Sequence, residues 1–331
     1  MSEGCPRSLR TAPWPLTRRP SGSLMGRMPK PDENFRQLTN WAPIVGRWSI
    51  DADAVTYQGP QGKEVPLGIC VSDARLTEGV VRVTVALSPG TAGRVLLGYR
   101  SPTDWYFTAG LGGYGRSYVL APFGPGQGWR GLSLAGSEAN LVPERPYSVR
   151  VPCTGQQLAL AVDGVRVLEH LLDAPLPKGQ TGLFAWGQAS VQFSNIAVQE
   201  APGRVFIVMR FADPFQQLYS DVIKPVVEEF GMEAYHVGEV YGPGVILNDI
   251  VQGLIESKIV IAEITPANEN VFYELGFAHA LKKPTILLAE KGRQLPFDIT
   301  GYRCLFYENT IGGKKSVEES LRKHLQAITH D

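Results

Sequence analysis

Metal-binding cysteine pairs, membrane-length apolar runs and a surplus of either charge are all missing from this 331-residue chain. Its four cysteines, Cys5, Cys70, Cys153 and Cys304, are scattered with no CxxC or ligand spacing. That argues against a zinc site or a disulfide framework and suits a reduced, cytoplasmic compartment. No apolar stretch approaches a bilayer span and no secretory core follows the start, so no membrane partner is expected. Lys plus Arg and Asp plus Glu stand at 32 each, but unevenly placed. Residues 1–32 carry six basic against two acidic side chains, 33–200 carry thirteen of each, and 203–331 carry thirteen against seventeen. An acidic C-terminal part offers no nucleic-acid groove. The start, rich in Arg, Pro, Ser and Gly, is expected to be a disordered basic tail over 1–32.

What is present is 44% hydrophobic residues over a length that accommodates two cores. From 33 to 199 the chain alternates: VRVTVALS (81–88), RVLLGYR (94–100), DWYFTAGL (104–111), YSVRVPC (147–153), LALAVDG (158–164) and ASVQFSNIAV (189–198). Period-two runs separated by Gly, Pro, Asp and Ser predict a two-sheet β-sandwich with no amphipathic helix. Asp163-Gly164 is a hairpin turn signal, and Asn195-Ile196 is expected to begin the closing strand. The order Tyr147–Val151, Leu160–Gly164, Gly179–Ala185 and Val191–Ile196 resembles the concanavalin-like, laminin-G type jelly rolls. The resemblance implies a sensor or interaction domain whose ligand or protein partner it does not name. Trp105, Tyr106, Trp129 and Trp186, with Arg100, Asp104 and Arg130, are sugar-stacking candidates; filling of the core or rim is the plainer role for the aromatics.

After the short linker Gln199–Gly203 the pattern changes. Apolar runs at Val205–Met209, Glu233–Val237, Ile259–Ile264, Thr285–Ala289 and within Gly301–Tyr307 alternate with helical spacings over Pro214–Phe230 (interrupted by Pro225), Val245–Glu256, Val271–Leu281 and Ser316–Ile328. Regular β/α alternation predicts a parallel sheet over 203–331, flavodoxin-like in order, with helices on both faces. Glu274 then lies near the start of a helix at the carboxyl edge of the strands, where open α/β sheets bind ligands.

FIVMRF, VIKPVVEEFG, IVIAEIT, NENVFYELGFAHALKKPTILL and LPFDITGYR together resemble the bacterial TIR-like domains and are also similar to the nucleoside 2-deoxyribosyltransferases. The resemblance implies cleavage of an N-glycosidic bond, in NAD⁺ as substrate rather than cofactor (as hydrolase or cyclase, regulated by the sandwich), or in a deoxynucleoside. It implies Glu274 as the catalytic carboxylate, a role in antiphage defence, and a homo-oligomer when active. A non-catalytic nucleotide-binding module is the remaining alternative. Two departures are visible: Met209-Arg210-Phe211 stands where the family has Met-Pro-Phe, and Glu263 where it has an aspartate.

For that chemistry one carboxylate beside the anomeric carbon suffices, because nicotinamide leaves neutral from a cationic ring. Glu263 or Asn268 is assigned to the ribose hydroxyls, and Phe211, Tyr241 or Tyr273 to aromatic walls. Gly238–Gly244 has the composition of a covering loop, and Arg210 is a phosphate contact or a salt-bridge partner. Asn270 is expected to cap the helix and Asn268 to form an Asx turn. His279 is expected to be a hydrogen-bonded packing residue.

Overall fold

The computed structural model describes residues 35–236, 246–265, 267–295, 299 and 302–330. The basic start, and the loop holding Gly238 and Tyr241, lie outside the described residues.

Residues 36–200 form two eight-stranded antiparallel sheets, a β-sandwich of jelly-roll type. In the first, Gly79–Leu87 lies between Tyr147–Thr154 and Val191–Glu200. In the second, Ala92–Tyr99 lies between Tyr106–Leu111 and Gln180–Trp186. The alternation seen in the sequence becomes the core directly. Val81, Val83, Val85 and Leu87 point inward to meet Val95, Leu97, Ala109 and Leu111 of the facing sheet. Asp163 and Gly164 form the two-residue turn between Gln157–Val162 and Val165–Leu171, with φ of 50° and 80° as a mirror-image hairpin turn requires. The Asp163 carboxylate pins it, accepting from the Ser148 amide (2.9 Å) and Arg145 (2.8 Å). The closing strand corrects the expectation: it begins at Val191, and Asn195 lies inside it. Asn195 has φ 50° at a register shift between Ser194 and Ala197, a bulge that asparagine tolerates because its side chain stabilises left-handed backbone.

The remainder is a five-stranded all-parallel sheet with β1 (Arg204–Val208), β2 (Glu233–Tyr235), β3 (Ile259–Glu263), β4 (Thr285–Glu290) and β5 (Cys304–Tyr307) in the order β2-β1-β3-β4-β5. The helices are α1 (Phe215–Leu218), α2 (Lys224–Glu229), α3 (Ile246–Glu256), α4 (Glu269–Ala280) and α5 (Ile311–His330). The single helix expected over 214–230 is instead α1 and α2 joined by a π-turn, Tyr219–Ile223. Pro225 has no N–H for the Asp221 carbonyl and its ring would press on it; the wider turn just before accommodates both effects. The last helix starts five residues before its expected start at Ser316. Thr310 Oγ1 accepts the Gly313 amide at 3.0 Å and holds a first turn that two glycines disguise in the sequence.

Strand parity decides which groups meet. Ile259 and Ile261 of β3 pack toward α1, α2 and α5. Val260, Ala262 and Ile264 pack toward α3 and α4. By the same alternation Glu263 belongs to the first of these faces.

Asn34–Asp331 forms one compact unit, and a turn of the sandwich explains how. The Gln156 amide donates to Ile255 O (3.3 Å), at the end of α3. Gln156 Nε2 donates to Leu281 O (2.9 Å), just past α4. Lys283 Nζ closes the end of α3, donating to Ile255 O (2.9 Å) and Ser257 O (2.6 Å). The orphan carbonyls at a helix C-terminus are thus taken by amides and a cation, as their charge favours. Within the sandwich, buried Glu78 accepts the Gly155 amide at 2.9 Å and fixes the turn. No helix among the described residues is long and apolar enough to cross a membrane.

Candidate functional site

In the order β2-β1-β3 the chain direction of the crossovers reverses between β1 and β3, which opens a crevice beyond their carboxyl ends. Two segments reach that edge: Met209-Arg210-Phe211 after β1, and Ile264–Asn268 leading into α4. Because α4 runs antiparallel to the strands, its amino end and macrodipole face the same edge.

Asn268 is the cap of α4. Its φ and ψ are extended (−135°, 126°), and its side-chain oxygen accepts from the amides of Asn270 (2.9 Å) and Val271 (3.3 Å). The cap expected at Asn270 is therefore corrected by two residues: Asn270 is exposed inside the first turn and supplies one of the capped amides. With its oxygen engaged here, Asn268 fixes the start of the helix that carries Glu274. Asn268→Ala should lower stability by about 1 kcal/mol in urea unfolding; an unchanged midpoint would remove the cap from the account.

Val271, Leu275 and Ala278 bury one face of α4. Glu274, at the flank of that stripe, is half-buried, and its Cα–Cβ bond tilts toward the helix start. Among the described residues nothing hydrogen-bonds to or pairs with its carboxyl. Burial alone raises its pKa from 4.5 to about 7. A carboxyl removed from water yet given no cation is unfavourable for folding, and such groups concentrate at functional sites.

The folded pKa lies above the unfolded value, so the native state holds a proton the unfolded chain has lost as pH rises from 4.5 toward 7. Ionised Glu274 therefore destabilises, fully so above the upper value and not at all below the lower one. Glu274→Gln should be more stable than the wild type by on the order of 2 kcal/mol near pH 8, after solvent screening of this partly exposed group. The gain should vanish as pH falls toward 4.5. Denaturant midpoints across that range decide it; a gain independent of pH contradicts the assignment.

Glu263 is not beside it. Only 1% exposed, it lies on the opposite face of the sheet. Its oxygens accept from the Thr265 amide (3.0 and 3.1 Å), and Oε1 also from the Tyr307 hydroxyl (3.0 Å). Burial pushes its pKa to about 7, against the pull of those hydrogen bonds. The structure thus separates Glu263 from Glu274 and engages it in tying β3 to β5.

Phe211 is exposed at 41% and stacks on His236 at the end of β2 (3.8 Å between centroids, 25°). Tyr219 meets the same imidazole edge-on at 5.1 Å. Phe211 is thereby held as a fixed aromatic surface at the edge. Arg210 is exposed and has no ion pair among the described residues. Tyr273, 55% exposed, faces solvent from α4. Among the described residues the buried Nε2 of His279 has no hydrogen-bond partner; the ring stacks flat on Tyr302 at 4.5 Å, and burial lowers its pKa.

Two cavities were not foreseen. One of ≈ 320 Å³ opens at the carboxyl edge on the α5 side, bounded by Phe215, Asp221, Glu290, Arg293, Tyr307 and Lys314. Arg293 there is paired with Glu290 at 3.0 Å. The other, ≈ 220 Å³, is in the outer surface of the second sandwich sheet, between Arg94, Gly113, Tyr114, Trp129, Phe184 and Trp186. It brings together Trp129 and Trp186 but leaves out Arg100 and Asp104, which pair with each other at 2.9 Å. Tyr106 is buried with Tyr99 and Phe184 in an apolar layer on the same outer surface, between rim and core. The signal that would have located this cavity is the run Gly112-Gly113-Tyr114-Gly115.

No protein-family model matches the sequence, and no curated protein does. Among solved structures the chain is similar to the carbohydrate-binding module CBM66 from Bacillus subtilis (16% identity, TM-score 0.41, covering 48% of this chain and 94% of the module). It is similar also to the Bacillus licheniformis β-glucanase (13%, 0.37, 51% and 95%) and to the Caenorhabditis elegans galectin LEC-6 (14%, 0.29, 44% and 96%). These likenesses concern the jelly-roll sandwich as a fold and carry no function to this chain.

Proposed function

We propose that the parallel α/β domain cleaves the N-glycosidic bond of a nucleotide, NAD⁺ before others, with Glu274 as the carboxylate at the sugar. The observation that carries it is the half-buried carboxyl of Glu274, free of any described partner, in the second turn of the capped helix that follows β3; it lines neither the cavity on the α5 side nor the one in the sandwich. The bond from ribose C1′ to the pyridinium nitrogen breaks with both electrons going to nitrogen. Nicotinamide departs neutral, and the sugar develops oxocarbenium character. The Glu274 carboxylate stabilises that charge or bonds to it transiently. Water then attacks C1′ and releases one proton, giving ADP-ribose, nicotinamide and H⁺. Phe211 provides the fixed aromatic face for the leaving ring and Arg210 the cation for the pyrophosphate.

A panel of NAD⁺, NADP⁺ and deoxynucleosides with free bases, incubated with the full chain and resolved by chromatography, tests this. Nicotinamide release is the expected result. Base exchange without nicotinamide release identifies a deoxyribosyltransferase, and nucleotide binding without any turnover identifies a signalling module. Because the carboxylate must be ionised, kcat/KM should fall as pH drops below about 7; a flat profile through that range contradicts the role.

A further inference from the structure

The second sandwich sheet carries a feature that neither its core nor the α/β chemistry explains. Along Ala92–Tyr99, Val95 and Leu97 point into the core, so Arg94 and Leu96 point to the outer surface. Arg94 is nonetheless 3% exposed. Nε and Nη2 both donate to Gly112 O, at 3.2 and 2.5 Å, which engages two of the five guanidinium donors. Its carbon lies 5.1 Å from the Phe184 ring on the neighbouring strand and 5.5 Å from Tyr114. No carboxylate among the described residues pairs with it. Burial lowers its pKa to about 10, outweighing the Tyr114 side chain and the Glu138 carboxylate, which favour the charged form. A buried cation with no paired carboxylate is costly unless a ligand supplies the negative end.

The loop over this cation is itself unusual. Gly112, Gly113, Tyr114 and Gly115 have φ of 77°, 96°, 56° and 68°, four consecutive residues in left-handed backbone. Glycine is needed at 113, where a Cβ would lie 2.1 Å from Arg94 Nη2. Tyr114 holds that conformation against its steric preference, and its ring, 46% exposed, lies over the guanidinium. Beside it the ≈ 220 Å³ cavity is walled by Trp129, Phe184 and Trp186, with Trp129 and Phe184 4.7 Å apart. The volume suits one six-membered ring, and the walls offer it stacking faces.

We infer that this cavity binds a small organic anion, a six-membered ring bearing a carboxylate, with the ring against Trp129 and Trp186 and the carboxylate on Arg94 beneath Tyr114. Tyr114 is the movable element: its displacement opens the guanidinium to a bidentate partner. An aromatic acid and a uronic sugar share this chemistry. The inference is independent of Glu274 and of nucleotide cleavage.

Tryptophan fluorescence of the full chain reads the site directly, since two indoles line it. Sodium benzoate and sodium glucuronate are titrated beside benzyl alcohol and glucose, their neutral counterparts. At least one acid should bind about tenfold more tightly than its neutral counterpart, and which acid does so identifies the source. Trp186→Ala, at a 43% exposed position, should abolish the response in a folded protein. Arg94→Gln, checked for folding by circular dichroism, should remove the preference for the acid. Should Arg94→Gln not fold, weakening of acid binding by added salt replaces it as the readout of charge. Equal binding of neutral and acidic probes, or no response to either acid, overturns the proposal.

Discussion

Glu274→Gln should release nicotinamide from NAD⁺ on the order of a thousandfold more slowly than the wild type, with little change in nucleotide affinity. On the proposed reading the carboxylate meets positive charge that develops on the sugar only in the transition state, so its removal falls on kcat. About 4 kcal/mol is what a preorganised charge in a partly dehydrated site contributes. Glutamine preserves the shape and its amide still accepts a hydrogen bond, so the helix and its cap at Asn268 are undisturbed. The same substitution should raise stability above neutral pH, because the ionised carboxyl is unfavourable in the folded chain. Loss of activity with gain of stability is a combination that a merely structural glutamate would not produce. A drop in both would assign Glu274 to packing.

Gly155→Val should separate the two folds. At φ +57° a β-branched side chain is strained, and a Cβ there would lie 2.4 Å from Ile255 O and 2.6 Å from the Glu256 carbonyl carbon. Both are backbone atoms at the end of α3, so neither can rotate aside. The turn must withdraw, and with it go the Gln156 bonds to Ile255 O and Leu281 O. The combined strain and lost hydrogen bonds amount to roughly 3 kcal/mol or more. Thermal unfolding should change from one transition to two, with the sandwich retaining its own. A single transition at the wild-type temperature would show that the turn does not bind the folds together. The consequence reaches the site, since Gln156 grips α4 at the end opposite Asn268 and the helix between them carries Glu274.

Much of this was legible in the chain. Alternation at Val81–Leu87 located a core strand to within two residues, Asp163-Gly164 located the hairpin between Gln157–Val162 and Val165–Leu171, and β/α alternation predicted the parallel order. What was hidden depended on counting by one or two. Asn268 and Asn270 are equally good caps in composition, and only backbone conformation distinguishes them. In β3 every residue is buried, so the run Ile259–Glu263 carries no period-two signal to say which face Glu263 takes. Arg94 reads as a polar break in an apolar strand, and Tyr114 as a turn residue. Their juxtaposition depends on the pairing of Gly93 with Leu111, which no local pattern contains.

The most direct test of the proposed carboxyl does not need turnover. Carbon-detected titration of the Glu274 carboxyl in the full chain, with and without NAD⁺, should show a free midpoint near 7 that falls on nucleotide binding as the cationic pyridinium approaches. A midpoint at the ordinary 4.5, or one near 7 that saturating NAD⁺ leaves unmoved, would contradict the account.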